Sequence, residues 1–83
     1  MAIRIHTHAR ERMIERGVTE QEIVLTVEEG ERFPAKFGRT GFRRDFDYGS
    51  HWRGRFFEHK QIEVYAAPEG ADWVVITIIA RFF

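Results

Sequence analysis

At Gly30 the hydrophobic period of this chain changes from about 3.6 residues to 2, and that switch constrains the fold more than any other feature. Ahead of it lie two stretches with helical spacing. Behind it lie runs that alternate in the manner of strands. Helices followed by strands, joined by short connections, are the signature of an α+β domain with an antiparallel sheet.

The helical half reads in detail. Thr7 is placed to cap a helix over residues 8–16, and Gly17 to end it. On a helical wheel Ala9, Met13 and Ile14 share one side, and His8, Glu11, Arg12, Glu15 and Arg16 the other. Thr19 opens a second helix, and Glu22, three residues on, completes a capping box. Ile23, Val24 and Val27 form its apolar stripe, and Gly30 closes it.

In the strand half, Phe33, Ala35 and Phe37 alternate with Pro34 and Lys36, and the proline marks an edge strand. A turn over residues 38–41 leads to a strand with Phe42, Arg44, Phe46 and Tyr48 on one face and Arg43, Asp45 and Asp47 on the other. Residues 49–54 read as a loop. A strand follows over residues 55–58, leading through a bulge or tight turn to a stretch where Ile62, Val64 and Ala66 alternate with Gln61, Glu63 and Tyr65. After a turn over residues 68–72, residues 73–81 are apolar on both faces, as expected of a central strand. Residues 3–6 read as a short extended segment. The expectation is one domain over residues 1–83, with two N-terminal helices packed on about four antiparallel strands.

Composition narrows the classes of function. The chain has no cysteine, so disulfides and thiolate metal sites are excluded and a reducing compartment is expected. The longest apolar run, Trp73 to Ala80, is broken by Thr77 and is too short to span a membrane, and no targeting segment is evident. The expected location is the cytoplasm. Net charge is zero, which argues against a general polyanion binder, but residues 32–60 hold eight Lys/Arg against three acids. Eight of the twelve aromatics fall in that same span. Arginine, which forms forked contacts with phosphate and carboxylate, outnumbers lysine eleven to two.

The stretch His8-Ala9-Arg10-Glu11-Arg12-Met13-Ile14-Glu15-Arg16-Gly17-Val18-Thr19 resembles the opening motif of the family called domain of unknown function 4258. That motif reads His-Ala, Arg-Met, Arg-Gly, then Ile or Val and Ser or Thr. Phe57, Lys60, residues 62–66 and Val74-Val75-Ile76-Thr77 are similar to its sheet half. The resemblance implies a bacterial protein with a layout like that of the RelE and colicin-type toxin ribonucleases. Such ribonucleases are usually strongly basic, and this chain is neutral.

Several constellations could carry chemistry. His8, Arg12 and Arg16 recur at i, i+4 along one helix face, where the like-charged pairs Glu11/Glu15 and Arg12/Arg16 weaken any account by local salt bridging. His8 is a candidate general acid or base and Arg12 or Arg16 a candidate stabiliser of a phosphorane, with His8, Arg12 and Arg44 as the groups that would handle proton and charge. The competing reading is a solvated face, or arginines that anchor the helix on the sheet. Arg44 among Phe42, Phe46 and Tyr48 suits stacking and pairing with RNA, or else it pairs with an acid such as Glu22 or Glu28. Arg16, Arg43, Trp52, Arg53, Arg55 and Lys60 are the further candidates for nucleic-acid contact. His59 with Lys60, and Thr77, are weaker candidates that fit a solvated turn and a strand residue equally well. His6 and His8 with His51 or His59 could assemble a zinc site, but the spacing is no recognised signature, so no metal and no cofactor is expected. Two functions remain open. One is RNA binding, extending to a metal-independent toxin-type endoribonuclease. The other is a protein-interaction module, a homodimer or the partner of an antitoxin-like protein, built on Ile78, Ile79, Phe82 and Phe83 of the last strand.

Overall fold

A computed structural model describes residues 1–83. The elements run β1 (Ile3–Ile5), α1 (Thr7–Arg16), α2 (Glu20–Glu29), β2 (Glu31–Pro34), β3 (Thr40–Trp52), β4 (Arg55–Glu69) and β5 (Asp72–Phe82). The class is α+β. The sheet, however, has five strands in the order β1-β5-β4-β3-β2, and it is mixed rather than wholly antiparallel. Residues 3–5 supply the fifth strand: Ile3 and Ile5 lie parallel to Trp73 and Val75. A three-residue strand carries no readable period, which is why residues 3–6 looked merely extended. It also moves β5 from the expected centre to second place, and β4 becomes the middle strand.

β1 also corrects the start of α1. His6 continues the ladder, its N–H donating to the Val75 carbonyl at 2.9 Å, so it stays extended at φ −61° and ψ 146°. It is therefore the N-cap, and its ring Nδ1 accepts from the His8 N–H at 3.1 Å, in place of the Thr7 hydroxyl. Thr7 is the first helical residue. At the other end Gly17 has φ +64° and its N–H returns to the Met13 carbonyl, as expected of a helix-ending glycine. Ile14 is 84% exposed and not part of the core. α1 lies against β5 through Ala9 and Met13, and Ile14, next to Met13, is turned past that line of contact.

The capping box of α2 is present, with Thr19 Oγ1 accepting from the Glu22 N–H at 3.1 Å and Glu22 Oε1 accepting from the Thr19 N–H at 2.9 Å. Ile23 and Val27 are buried and Val24 is half-buried. α2 lies over β3 and β4. Gly30 is required by close approach: a Cβ there would come within 2.4 Å of the Thr26 carbonyl and 2.7 Å of that of Arg43.

Residues 49–54 are not a loop. β3 runs on to Trp52, β4 begins at Arg55, and Arg53-Gly54 closes a two-residue hairpin with φ of +52° and +80°. Gly49, at φ +57°, takes the register shift between Asp47 and Ser50 as a bulge, and so the strand passes through a stretch whose glycines suggested a loop. At the other end β2 stops at Pro34, so Ala35 and Phe37 lie in the turn and not on the strand. β4 runs through Pro68 to Glu69, and only Gly70 and Ala71 turn the chain into β5. No helix is long and apolar enough to cross a membrane.

The core is Ala9, Val18, Ile23 and Val27 from the helical half against Phe42, Ile62, Val64, Ala66, Val75 and Ile78 of the sheet. Strand alternation puts Phe42, Arg44 and Phe46 on this helix-covered face, and Arg43, Tyr65, Thr77 and Ile79 on the other, which carries no helix. Lys60 sits on the covered face, 2% exposed, between the rings of Tyr48 and Phe82. Its ammonium donates to the Gly17 carbonyl and, at 2.8 Å, to Glu22 Oε1. Removing the ammonium leaves a carboxylate that is largely out of water. Lys60→Ala should therefore cost about 2–3 kcal/mol, and Lys60→Met with Glu22→Gln should recover at least half of that. Urea titration reads both, and a loss below about 1 kcal/mol for Lys60→Ala would refute this role.

Candidate nucleic-acid interface

The β3–β4 hairpin carries its tip back over the end of α1. Trp52 stacks on Phe82, with ring centroids 5.2 Å apart and planes 13° from parallel, and Phe82 also meets Tyr48 and Phe57. The indole reaches Gly17 so closely that a Cβ there would lie 2.5 Å from the ring. Arg53 follows in the turn and donates to the Glu15 carbonyl at 2.6 Å. Glu15 belongs to the last turn of α1, whose carbonyls have no partner within the helix, and the arginine satisfies one of them. Arg16 donates to the Ile78 carbonyl at 2.6 Å, across to β5.

These contacts frame a cleft of about 360 Å³ lined by Glu15, Arg16, Trp52, Arg53, Ala80 and Phe82. Arg12 adjoins it through its ion pair with Glu15 at 3.7 Å. A guanidinium has five N–H donors, and the hydrogen bonds of Arg16 and Arg53 each use one. The remaining donors are suited to an anion with several acceptor oxygens, which is the chemistry of a phosphate. Trp52 has Phe82 against its ring and the Arg53 guanidinium 5.2 Å from its centroid, so it anchors the hairpin rather than offering a free stacking surface.

Of the expected site residues, the fold brings Arg12, Arg16, Trp52 and Arg53 together. His8 is exposed, two turns ahead of Arg16 on α1. Arg55 lies on β4 beside the tip, with its guanidinium over Phe57. Three others lie elsewhere. Arg44 stacks on Phe46 and pairs with Glu29 at 3.9 Å, rather than with Glu22 or Glu28, and so belongs to the end of α2 and not to the α1 face. Arg43 is on the opposite face, bound to Glu63 at 2.8 Å and Glu31 at 3.2 Å. The hydrogen bond that Arg43 donates to Glu63, reinforced by both carboxylate charges, raises the guanidinium above its ordinary value, so its charge is locally answered. Lys60 is enclosed, with both its partners internal. His59 lies beside Phe83 on the helix-free face, and His51 against Phe56 at the hairpin, both apart from His6 and His8. No group of three His, Asp or Glu side chains is arranged to hold a metal ion.

Sequence reasoning missed the structural parts of this cleft: the Glu15 carbonyl, Phe82 as the stacking partner of Trp52, and the Ile78 carbonyl. The first had a signal, since the end of any helix leaves carbonyls to be satisfied. The stack on Phe82 depends on the path of the hairpin, and the Ile78 carbonyl on how α1 lies against β5.

A family model described as "Domain of unknown function (DUF4258)" matches residues 5–80. No curated protein and no solved structure matches the chain.

The contact of Gly17 with Trp52 sets an expectation for stability. Gly17→Ala should cost about 2 kcal/mol, partly from the positive φ and partly from displacement of the indole. In a Trp52→Ala background the cost should fall to about 1 kcal/mol, since only the backbone part remains. Equal costs in the two backgrounds would show that the ring does not press on this turn.

Proposed function

The chain belongs to the DUF4258 family, whose description assigns no activity, and on that premise we propose from its own residues that it binds single-stranded RNA along the His8–Arg12–Arg16 face of α1 and into the adjoining cleft. The observation that carries this reading is the convergence of Arg12, Arg16 and Arg53 at one end of the molecule, with donors left over after their internal bonds. Such a surface holds phosphates without reading bases, and Arg55 extends it along the hairpin.

The sharper form of the reading is a metal-independent endoribonuclease of the toxin type. His8 takes the proton of a ribose 2′-hydroxyl as that oxygen attacks the adjacent phosphorus. The bond from phosphorus to the 5′-oxygen of the next nucleotide breaks, that oxygen takes a proton from water, and a 2′,3′-cyclic phosphate remains. Arg12 neutralises the added charge on the phosphorane. Arg44, engaged with Glu29, takes no part.

A second reading has its own observation. β1 covers only Trp73–Val75 of β5. Phe83 exchanges both backbone hydrogen bonds with His59, so by alternation Ile78, Ala80 and Phe82 turn their N–H and C=O groups to the outer edge. Of these groups, Ile78 O is taken by Arg16. A strand of a second copy, or of an antitoxin-like protein, could pair there.

RNA affinity should fall about twentyfold between roughly 50 and 200 mM salt for three phosphate contacts, and Arg12→Ala should flatten the dependence by a little under one unit of slope. On a denaturing gel with EDTA, cleavage of cellular RNA should disappear in His8→Ala. Absence of salt-dependent binding would refute the RNA reading. Binding with intact RNA in every lane would refute only its catalytic form. For the second reading, light scattering should give twice the chain mass, and a monomer at high micromolar concentration would sink the homodimer.

A further inference from the structure

The face of the sheet that carries no helix holds a pocket of about 420 Å³, within the range of about 300–1,000 Å³ typical of small-ligand sites. Its apolar lining comes from Phe33, Phe37 and the ring of Tyr65. Its polar side chains are those of Tyr65, Thr77, Lys36 and Arg39. Tyr65 and Thr77 are register partners on β4 and β5. Phe33 meets Tyr65 edge-on at 6.0 Å, and it is fixed by lying across Gly41, where a Cβ would come within 2.3 Å of the ring.

Charge and exposure both point outward here. Residues 32–44 hold five cations and no acid. Arg43 is answered by Glu63 and Glu31, Arg44 by Glu29, and Arg32 lies over Phe42 and Trp73. Arg32, Lys36 and Arg39 are left without a carboxylate, and of these Lys36 and Arg39 line the pocket. Phe37 is 87% exposed, so packing does not account for it, and its φ of +60° is a conformation that bulky residues rarely adopt. The Arg39 guanidinium lies 5.9 Å from its ring centroid.

We propose that this pocket binds a nucleoside monophosphate group, with the base against the exposed ring of Phe37 and the phosphate between Lys36 and Arg39. The hydroxyls of Tyr65 and Thr77 serve the edge of the base or the ribose. A cationic ligand would meet two unanswered positive charges. A purely apolar ligand would make no use of those charges or of the two hydroxyls. A planar ring carrying a phosphate satisfies both halves of the lining. The pocket and the α1 cleft are on opposite faces, so this inference stands apart from the reading of the cleft. The group could come from a free nucleotide or from the phosphorylated end of a strand.

The test is a ¹⁵N NMR titration of the whole chain with adenosine 5′-monophosphate, with adenosine, inorganic phosphate and a 5′-phosphorylated oligoadenylate as separate arms. The monophosphate should shift the Tyr65, Thr77 and Arg39 amides saturably, and adenosine should bind about tenfold or more weakly. Lys36→Ala with Arg39→Ala should weaken binding about tenfold, and so should Phe37→Gly, which removes an exposed ring at a glycine-compatible φ and should leave the melting temperature nearly unchanged. Tighter binding of the oligonucleotide at the same amides would assign the site to a strand end, and binding of the mononucleotide alone to a free ligand. The proposal is overturned by absence of a saturable shift, by inorganic phosphate reproducing the shifts at equal affinity, or by variants that bind as the parent does.

Discussion

The layers of this fold are joined by one buried ammonium. Lys60 stands on the middle strand, under the turn between the helices, and holds both the carbonyl that ends α1 and the carboxylate in the first turn of α2. A core of ten apolar side chains is small, and in a chain without disulfides it leaves little to fix how the helix pair sits on the sheet. A directional, charge-assisted contact at the turn supplies what apolar burial lacks. Glu22 serves twice, since the carboxylate oxygen that accepts from Lys60 also accepts from the Thr19 N–H. The start of α2 and the seating of both helices thus depend on the same atom.

From that turn the candidate interface follows. Fixing Gly17 fixes the last residues of α1, and with them Arg16 at the β5 edge and the Glu15 carbonyl that Arg53 reaches. The hairpin needs its two-residue turn and its bulge at Gly49 to bring Trp52 over Gly17, where any side chain would block the indole. A helix face carrying arginines at i, i+4 would be an ordinary solvated surface on its own. The hairpin tip makes it one wall of a cleft.

Much of this was legible in the residues, and what was not legible has definite causes. The class, the two helices, the capping box at Thr19 and the alternation of β3 and β4 all express local chemistry that a sequence displays directly. β1 is hidden because its three residues are strand only by virtue of β5, seventy positions away. The cap of α1 was misplaced by one for the same reason, since His6 is held extended by Val75. Glycines at 49 and 54 suggested a loop but mark a bulge and a hairpin turn, two uses of positive φ that composition does not distinguish. Within the candidate site, Arg12, Arg16 and Arg53 could be nominated by residue type and spacing. That Arg43 and Arg44 point to opposite faces was also legible. That Arg43 is answered by Glu31 and Glu63, and that the acid for Arg44 is Glu29 rather than Glu22 or Glu28, was not, because these contacts depend on the order of the strands and on where the end of α2 lies.

The preference for arginine over lysine has a physical basis in this arrangement. Arg16 and Arg53 each direct one donor to a backbone carbonyl on another element and retain the others. A lysine could do the first but would keep only a compact, strongly hydrated ammonium on a flexible stem. Because the guanidiniums are already held by Ile78 and Glu15, an anion entering the cleft meets groups whose rotamers are restricted before it arrives, so less side-chain entropy is lost on binding. Lys60 is the complementary case. It is buried where three donors radiating from one point suit a carbonyl and a carboxylate that approach from different elements, and a planar fork would fit that corner less well.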